Sequence, residues 1–196
     1  MAEAKEDRRV NRTRLLLRTA MTSLIREKGF EALTVQDIID RADVGRSTFY
    51  AHFKSKEDLL RGAVDMMRTT LRQFQRRALA KSAKPEDRMF AFSIELFEHA
   101  AQHLDVFAAM VGKHSGTVFQ HHLHHMLAEL IREDVEARVT RKKHDRGQVE
   151  AVVQFVAGGL LGLLVTWLNE MVRVSAAELD DRFRRMAIPA VEAMLG

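Results

Sequence analysis

The stretch from Thr34 to Lys56 reads TVQDIIDRADVGRSTFYAHFKSK, and the rest of the chain is interpreted outward from it. Its first half repeats apolar residues at steps of three and four, the spacing that puts them on one face of a helix. These residues are Val35, Ile38, Ile39 and Ala42. Thr34 followed three residues later by Asp37 has the pattern of a capping box. We therefore predict a helix over residues 34–42.

A second short helix follows after a break. Asp43-Val44-Gly45 interrupts the apolar pattern, and we expect Gly45 to supply the left-handed backbone of the turn. The run from Arg46 to Phe53 then places Phe49 and Phe53 on the same side of a helix. Two short helices joined by a tight turn predict a helix-turn-helix.

The polar side of the second helix carries most of the residues that we assign to DNA. With both phenylalanines facing inward, the start and outer face of this helix suit insertion into a major groove. The candidates for reading base edges or the backbone beside them are Arg46, Ser47 and Thr48. The candidates for phosphate positioning are Thr34, Tyr50, His52 and Lys56. Lys56 falls in the first turn of a third helix, where a cation opposes the helix dipole unless a phosphate lies beside it.

These motifs resemble the N-terminal domain of the tetracycline-repressor (TetR) family. The threonine-led helix and small turn are followed here by Thr48-Phe49-Tyr50-Ala51-His52-Phe53 and Ser55-Lys56-Glu57-Asp58-Leu59. The resemblance covers about residues 10–60 and departs at Gly45, where many members have serine. It implies an all-α homodimer that binds double-stranded operator DNA, and specifically a repressor that an unknown small-molecule effector releases from its operator.

The excess positive charge lies in the same part of the chain. Residues 1–56 contain 12 Lys/Arg against 8 Asp/Glu, whereas residues 57–196 contain 19 of each, so the first segment holds the whole net charge of +4. Such clustering is expected of a nucleic-acid-binding domain, because neutralising phosphates and releasing counterions supplies much of the affinity.

The remaining sequence predicts more helices in a chain with only two prolines and ten glycines. A helix over about residues 10–28 completes a three-helix DNA-binding domain at 1–56. A linking helix at about 56–80 leads to KSAKP, residues 81–85, which is the best boundary signal. Residues 81–196 are then predicted to form a helical bundle for effector binding and dimerisation.

Bulky apolar residues in the C-terminal part have two interpretations. They could line a ligand cavity between helices, or they could fill an ordinary core. The candidates for the pocket are Phe107, Met110, Phe119, Leu123, Met126 and Phe155.

The eighteen residues from Ala151 to Leu168 carry no charge. This length only just reaches what a membrane span needs, and the other segments are amphipathic. We favour a helix shared between a core and a subunit interface, so we predict no membrane association. Gly158 and Gly162 lie on one face and would permit close approach of a partner helix, and Trp167 is assigned to the same interface. The charged N-terminus lacks the apolar core of a signal peptide, which agrees with a cytoplasmic protein.

The nine histidines suggest one alternative function. His121 and His125 are four residues apart, a spacing that suits zinc, nickel or cobalt, so a metal-responsive regulator is the second hypothesis. A solvated or pH-sensitive face explains the same histidines equally well. The chain has no cysteine, glycine-rich phosphate loop or nucleophile elbow, so we predict neither an enzyme nor a cofactor.

Overall fold

The computed structural model describes residues 2–81, 89–111, 116–137, 145–169 and 173–195. Within those ranges all regular secondary structure is helical, and the all-α prediction is confirmed. The helices are α1 (Ala2–Lys28), α2 (Val35–Ala42), α3 (Arg46–Tyr50), α4 (Lys56–Lys81), α5 (Phe92–Gln102), α6 (Leu104–Val111), α7 (Gly116–Glu136), α8 (Arg146–Leu168) and α9 (Ala176–Leu195).

These helices form two compact units. The first comprises residues 1–63 and 105–119, and the second comprises 64–104 and 120–196. Helix α4 begins in the first unit and continues into the second. The division into a DNA-binding domain at 1–56 and an effector-binding and dimerisation domain at 81–196 stays a prediction. Residues 82–85 of KSAKP lie outside the described residues, so a domain boundary at residue 81 stays a prediction.

Helix α2 begins and ends for reasons visible in the sequence. The Asp37 N–H donates to Thr34 Oγ1 at 3.2 Å, and the Thr34 N–H donates to Asp37 Oδ2 at 2.8 Å, so the predicted capping box is present. Ile38 and Ile39 are buried, which stabilises the helix through its apolar face. The prediction of a helix over residues 34–42 is confirmed.

The turn between α2 and α3 differs from the prediction. Asp43, not Gly45, has the left-handed backbone, with φ of 51°. Aspartate tolerates this conformation better than most residues, and its backbone N–H is satisfied by Asp40 O at 3.3 Å. Gly45 has φ of −70° and is the N-cap of α3, without a side chain to accept a hydrogen bond. Our assignment of the left-handed residue to Gly45 was wrong.

Two glycines of this unit therefore respond oppositely to substitution. A Cβ at Gly45 would meet Thr48 Oγ1 at 3.7 Å, an ordinary contact, so Gly45→Ser adds a capping hydroxyl without strain. We expect the free energy of unfolding to rise by about 0.5–1 kcal/mol. Gly29 has φ of 74°, so Gly29→Ala should lower it by about 1 kcal/mol. Urea denaturation measures both, and a loss of stability in Gly45→Ser would contradict the turn geometry.

In the second unit a row of polar side chains fixes α4 against α7. Three pairs succeed one another along the two helices, at steps of four and three residues on α4 and of four and one on α7. The pairs are Arg68 with Glu129, Arg72 with Glu133, and Gln75 with Asp134. All three pairs join the same two helices, so sliding one helix along the other would separate the pairs together.

The last of these pairs also holds the segment before α5. Asp134 Oδ2 accepts the Phe90 N–H at 2.5 Å, and Gln75 Oε1 accepts the Phe92 N–H at 2.9 Å. Phe90 is fully buried and has φ of 57°, a conformation that a phenylalanine adopts only when its surroundings enforce it. Asp134 and Gln75 thus fix the backbone where α5 begins.

Candidate nucleic-acid interface

Helix α3 has a polar face that is exposed and an apolar face that is buried. Phe49 and Phe53 are buried, which confirms that both face inward, and they pack with their ring centroids 6.1 Å apart. Tyr50 meets Phe49 edge to face at 5.3 Å and is 52% exposed. A rigid aromatic base therefore holds the Tyr50 hydroxyl at the surface, where an external acceptor or donor can reach it.

The residues at the start of α3 are also accessible. Arg46 and Ser47 are exposed, and Thr48 is half-buried. Arg46 Nη2 donates to Gln36 Oε1 at 3.2 Å, which uses one of the five N–H donors of the guanidinium. His52 is half-buried beside Phe53. The structure thus places four of the seven predicted DNA-binding residues on α3 and a fifth, His52, two residues after its end.

Gln36 was missed in the sequence, although it lies on the exposed side of α2. Its amide contacts both helices of the motif: the oxygen accepts from Arg46, and Nε2 donates to Asp40 Oδ1 at 2.7 Å. The signal was available, since a polar residue two positions after the N-cap of α2 faces outward. Gln36 orients the Arg46 guanidinium.

Thr34 serves the protein backbone. Its hydroxyl donates to Asp37 Oδ2 at 2.6 Å while accepting the Asp37 N–H. The Lys28 ammonium, 2.7 Å from Asp37 Oδ2, and the two hydrogen bonds from Thr34 hold the pKa of this carboxyl well below its usual range. A hydroxyl has one hydrogen, so Thr34 cannot donate to a phosphate while the box is closed. The geometry does not favour the predicted phosphate contact of this side chain.

Lys56 is directed into the protein. Its ammonium donates to three carbonyl oxygens, of Phe30 at 3.0 Å, Glu31 at 3.1 Å and Leu33 at 2.8 Å. It also lies 4.8 Å from the centroid of the Phe30 ring. These carbonyls satisfy the cation in the first turn of α4, and no phosphate is needed to explain it. The phosphate contact of Lys56 stays a prediction, and it would compete with these three hydrogen bonds.

The predicted pocket residues divide into three groups. Phe107, Met110 and Phe119 are buried in the first unit, where the Phe107 and Phe119 rings lie 5.9 Å apart, edge to face. Leu123 and Met126 are buried in the second unit. Phe155 is 68% exposed on α8, so the structure does not support our assignment of this side chain to a pocket.

Helix α8 shows an outward face without charge. Phe155, Gly158 and Gly162 are exposed at steps of three and four, and a Cβ added at either glycine would meet no atom within 4 Å. The helix is long and apolar enough to cross a membrane by length and composition, with a mean hydropathy of 2.0. Trp167 differs from the glycines: its N–H donates to Val174 O at 2.9 Å, and its ring packs on Phe97 within the same chain.

The histidines do not assemble a metal centre in the part of the chain that the structure describes. No group of three His, Cys, Asp or Glu side chains suitable for a metal ion occurs there. His125 Nδ1 lies 3.5 Å from Glu129 Oε1, whose carboxylate also pairs with Arg68. The metal-responsive alternative with His121 and His125 therefore gains no support.

Two family models match the sequence. "Bacterial regulatory proteins, tetR family" matches residues 16–63, and "Transcriptional regulator C-terminal region" matches residues 87–189, more than half of the chain. The first match contains the polar face of α3 and the second contains α8.

Curated relatives agree with these models. An HTH-type transcriptional regulator of Haemophilus influenzae is 25% identical over 195 residues, which cover 96% of this chain and 91% of the relative. The HTH-type regulator YxbF of Bacillus subtilis is 41% identical over 59 residues, which cover 30% of this chain and 16% of that protein.

Solved structures share the fold. A TetR-family regulator from Syntrophomonas wolfei has a TM-score of 0.71 at 16% identity and covers 93% of this chain and 96% of its own. The repressor FadR of Thermus thermophilus, in complex with lauroyl-CoA, has a TM-score of 0.65 at 22% identity, covering 89% and 93%. RolR in complex with resorcinol has a TM-score of 0.61 at 19% identity, covering 95% and 94%.

Proposed function

Because this chain belongs to the TetR family of bacterial regulatory proteins, we propose that it controls transcription by binding operator DNA through α3 and releasing it when a small molecule binds. Members of the family are DNA-binding transcription regulators and not enzymes. The exposed polar face of α3, held by buried Phe49, is the observation that carries the proposal.

The residues proposed to contact DNA are those that α3 turns outward. Arg46, Ser47 and Thr48 occupy its first turn, the part of a recognition helix that comes nearest to base edges. Tyr50 and His52 follow on the side suited to the phosphate backbone. Thr34 and Lys56 support this surface from behind, since their polar groups are bound to the protein itself.

Release by a small molecule is proposed from the ligand-bound relatives. FadR of Thermus thermophilus was solved with lauroyl-CoA and RolR with resorcinol, so this fold holds ligands of very different size. Buried Leu123 and Met126 of the second unit remain our candidates for contact with such a ligand. A ligand that binds only one state of the regulator shifts the population toward that state and raises its melting temperature.

The regulator is proposed to act as a homodimer in the cytoplasm, with α8 and α9 facing a second copy. The outward stripe of Phe155, Gly158 and Gly162 on α8 is apolar, and α9 exposes Met186 and Met194. Gly158 and Gly162 allow close approach of a partner helix. A protein surface from a second copy would cover this apolar area, and no lipid is then required.

Loss of DNA binding on substitution in α3 tests the proposal. Duplexes selected from a random-sequence pool with the wild-type chain serve as probes in fluorescence anisotropy. We expect Arg46→Ala and Tyr50→Phe each to weaken binding about tenfold, because each removes a hydrogen-bonding group aimed outward while leaving Phe49 in place.

Arg146→Ala is the matched control, since Arg146 is an exposed arginine of the second unit. It should bind like the wild type, and all three variants should keep the wild-type circular dichroism. Wild-type affinity in both α3 variants would refute the assignment of α3 to DNA, and failure of the wild type to select any duplex would refute the function.

A further inference from the structure

We propose that Lys56 is an internal clamp that positions the DNA-binding helices and does not itself contact phosphate. The geometry that carries this is the convergence of three carbonyls, those of Phe30, Glu31 and Leu33, on one ammonium at 2.8–3.1 Å. The proposal deepens the proposed function, and the part of its test that measures DNA binding rests on that function.

The ammonium has no hydrogen left for an external acceptor. An ammonium carries three N–H donors and no acceptor, and each donor here has a carbonyl within hydrogen-bonding distance. The half-buried side chain also places its cation over the Phe30 ring. Contact with a phosphate would require Lys56 to give up one or more of these bonds, so the two roles compete for the same hydrogens.

The carbonyls belong to a segment that otherwise has few internal bonds to fix it. After α1 the backbone turns at Gly29, and the Leu33 N–H donates to Phe30 O at 3.2 Å. Carbonyls that point the same way repel one another, and a cation between them removes that repulsion. Charge-assisted hydrogen bonds are roughly twice as strong as neutral ones, so Lys56 can set the path of the chain from Phe30 to Leu33.

This segment leads directly to the interface residues. Leu33 immediately precedes Thr34, the N-cap of α2, and α2 carries Gln36, whose amide oxygen accepts from Arg46. A displacement of the first turn of α4 would therefore move α2 through Lys56. It would also move the guanidinium that we assign to DNA. All of these residues lie in the first unit.

The experiment compares Lys56→Met, which keeps the apolar stem, with Lys56→Arg and the control Lys54→Met in the full-length chain. Lys54 is exposed and only two residues away, so its replacement removes the same charge and leaves the hydrogen bonds of Lys56 to the three carbonyls intact. Without DNA, we expect Lys56→Met to melt about 4–8 °C lower and to exchange the Leu33 amide faster. Lys56→Arg should lose part of this stability, because the N–H groups of a planar guanidinium spread over three nitrogens and cannot reach three carbonyls that converge on one atom. Lys54→Met should match the wild type.

Measurements of DNA binding distinguish a Lys56 that positions the helices from a Lys56 that contacts phosphate. Affinity for a mixed-sequence duplex of about 30 base pairs is measured across salt concentrations, since phosphate contacts are independent of sequence. Removing one phosphate contact from each protomer of a dimer lowers the slope of log K against log [salt] by about 1.8. We expect Lys56→Met to bind about tenfold more weakly with an unchanged slope.

A slope lower by about 1.8 in Lys56→Met would overturn the proposal, as would wild-type melting and Leu33 exchange in that variant. Lys56→Arg binding and melting like the wild type would overturn it too, because arginine replaces lysine well at a phosphate. If the wild type binds no duplex, the proposed function fails, and the DNA-free measurements still decide whether Lys56 is a clamp.

Discussion

Replacing Gly158 and Gly162 together by leucine is expected to turn the proposed dimer into folded monomers and to weaken operator binding at least about 100-fold. Two recognition helices must sit about 34–36 Å apart to occupy successive major grooves, and a monomer engages only one of them. Both glycines are exposed, and a Cβ at either position meets nothing within 4 Å outside its chain neighbours and its own helix backbone, so we expect the larger side chain to point away from the protomer. Leucine also has the higher helix propensity, by about 0.8 kcal/mol per site.

The size of the effect follows from the geometry of close helix packing. Backbones that approach across glycines have no room for a branched side chain, and a leucine there pushes the partner helix away. Sedimentation equilibrium measures the dimer constant, and anisotropy with the selected duplex measures DNA binding. Glu136→Leu adds a leucine at an exposed site on α7 and should remain dimeric. A double-leucine variant that stays dimeric with full affinity would move the interface away from this face of α8.

Local spacing in the sequence was enough to predict the helix-turn-helix. The apolar positions of α2 and its capping box depend on residues within one turn of each other, and they were located correctly. Phe49 and Phe53 were also placed on the buried side, because two large aromatic residues four apart face the same way in helical backbone. The helix itself is shorter than predicted, since α3 ends at Tyr50 and Phe53 follows a turn.

Contacts between distant segments were not predictable in the same way. The cation at Lys56 was read through the helix dipole alone, whereas its partners are carbonyls more than 20 residues earlier, whose direction no side-chain pattern reveals. The exposure of Phe155 was not predictable for another reason: an uncharged helix has no amphipathic pattern, so its sequence does not say which side faces inward. The left-handed residue of the turn was assigned to glycine because glycine adopts a positive φ at the lowest cost. Asp43 has that conformation instead, and its N–H is satisfied by the Asp40 carbonyl, a contact that backbone preference alone does not predict.

Asp134→Ala is expected to lower the free energy of unfolding of the second unit by about 3–5 kcal/mol, and its melting temperature by roughly 6–20 °C. Asp134 is 5% exposed and accepts from the Phe90 N–H and from Gln75 Nε2. Alanine would remove an acceptor from two buried donors, and a buried donor that loses its acceptor costs about 1–3 kcal/mol. The left-handed backbone at Phe90 would lose the bond that holds it.

Two comparison variants separate this network from a general effect of losing a carboxylate. Asp134→Asn keeps the shape and one acceptor oxygen, but its amide then faces the Gln75 NH₂, which cannot turn because Gln75 Oε1 accepts the Phe92 N–H. We expect about half of the alanine effect. Asp181→Ala removes an exposed aspartate of α9 and should change stability by less than about 0.5 kcal/mol. If Asp134→Ala and Asp181→Ala unfold at the same urea concentration, then Asp134 does not hold the backbone at Phe90, and the conformation of Phe90 must be enforced by side-chain packing alone.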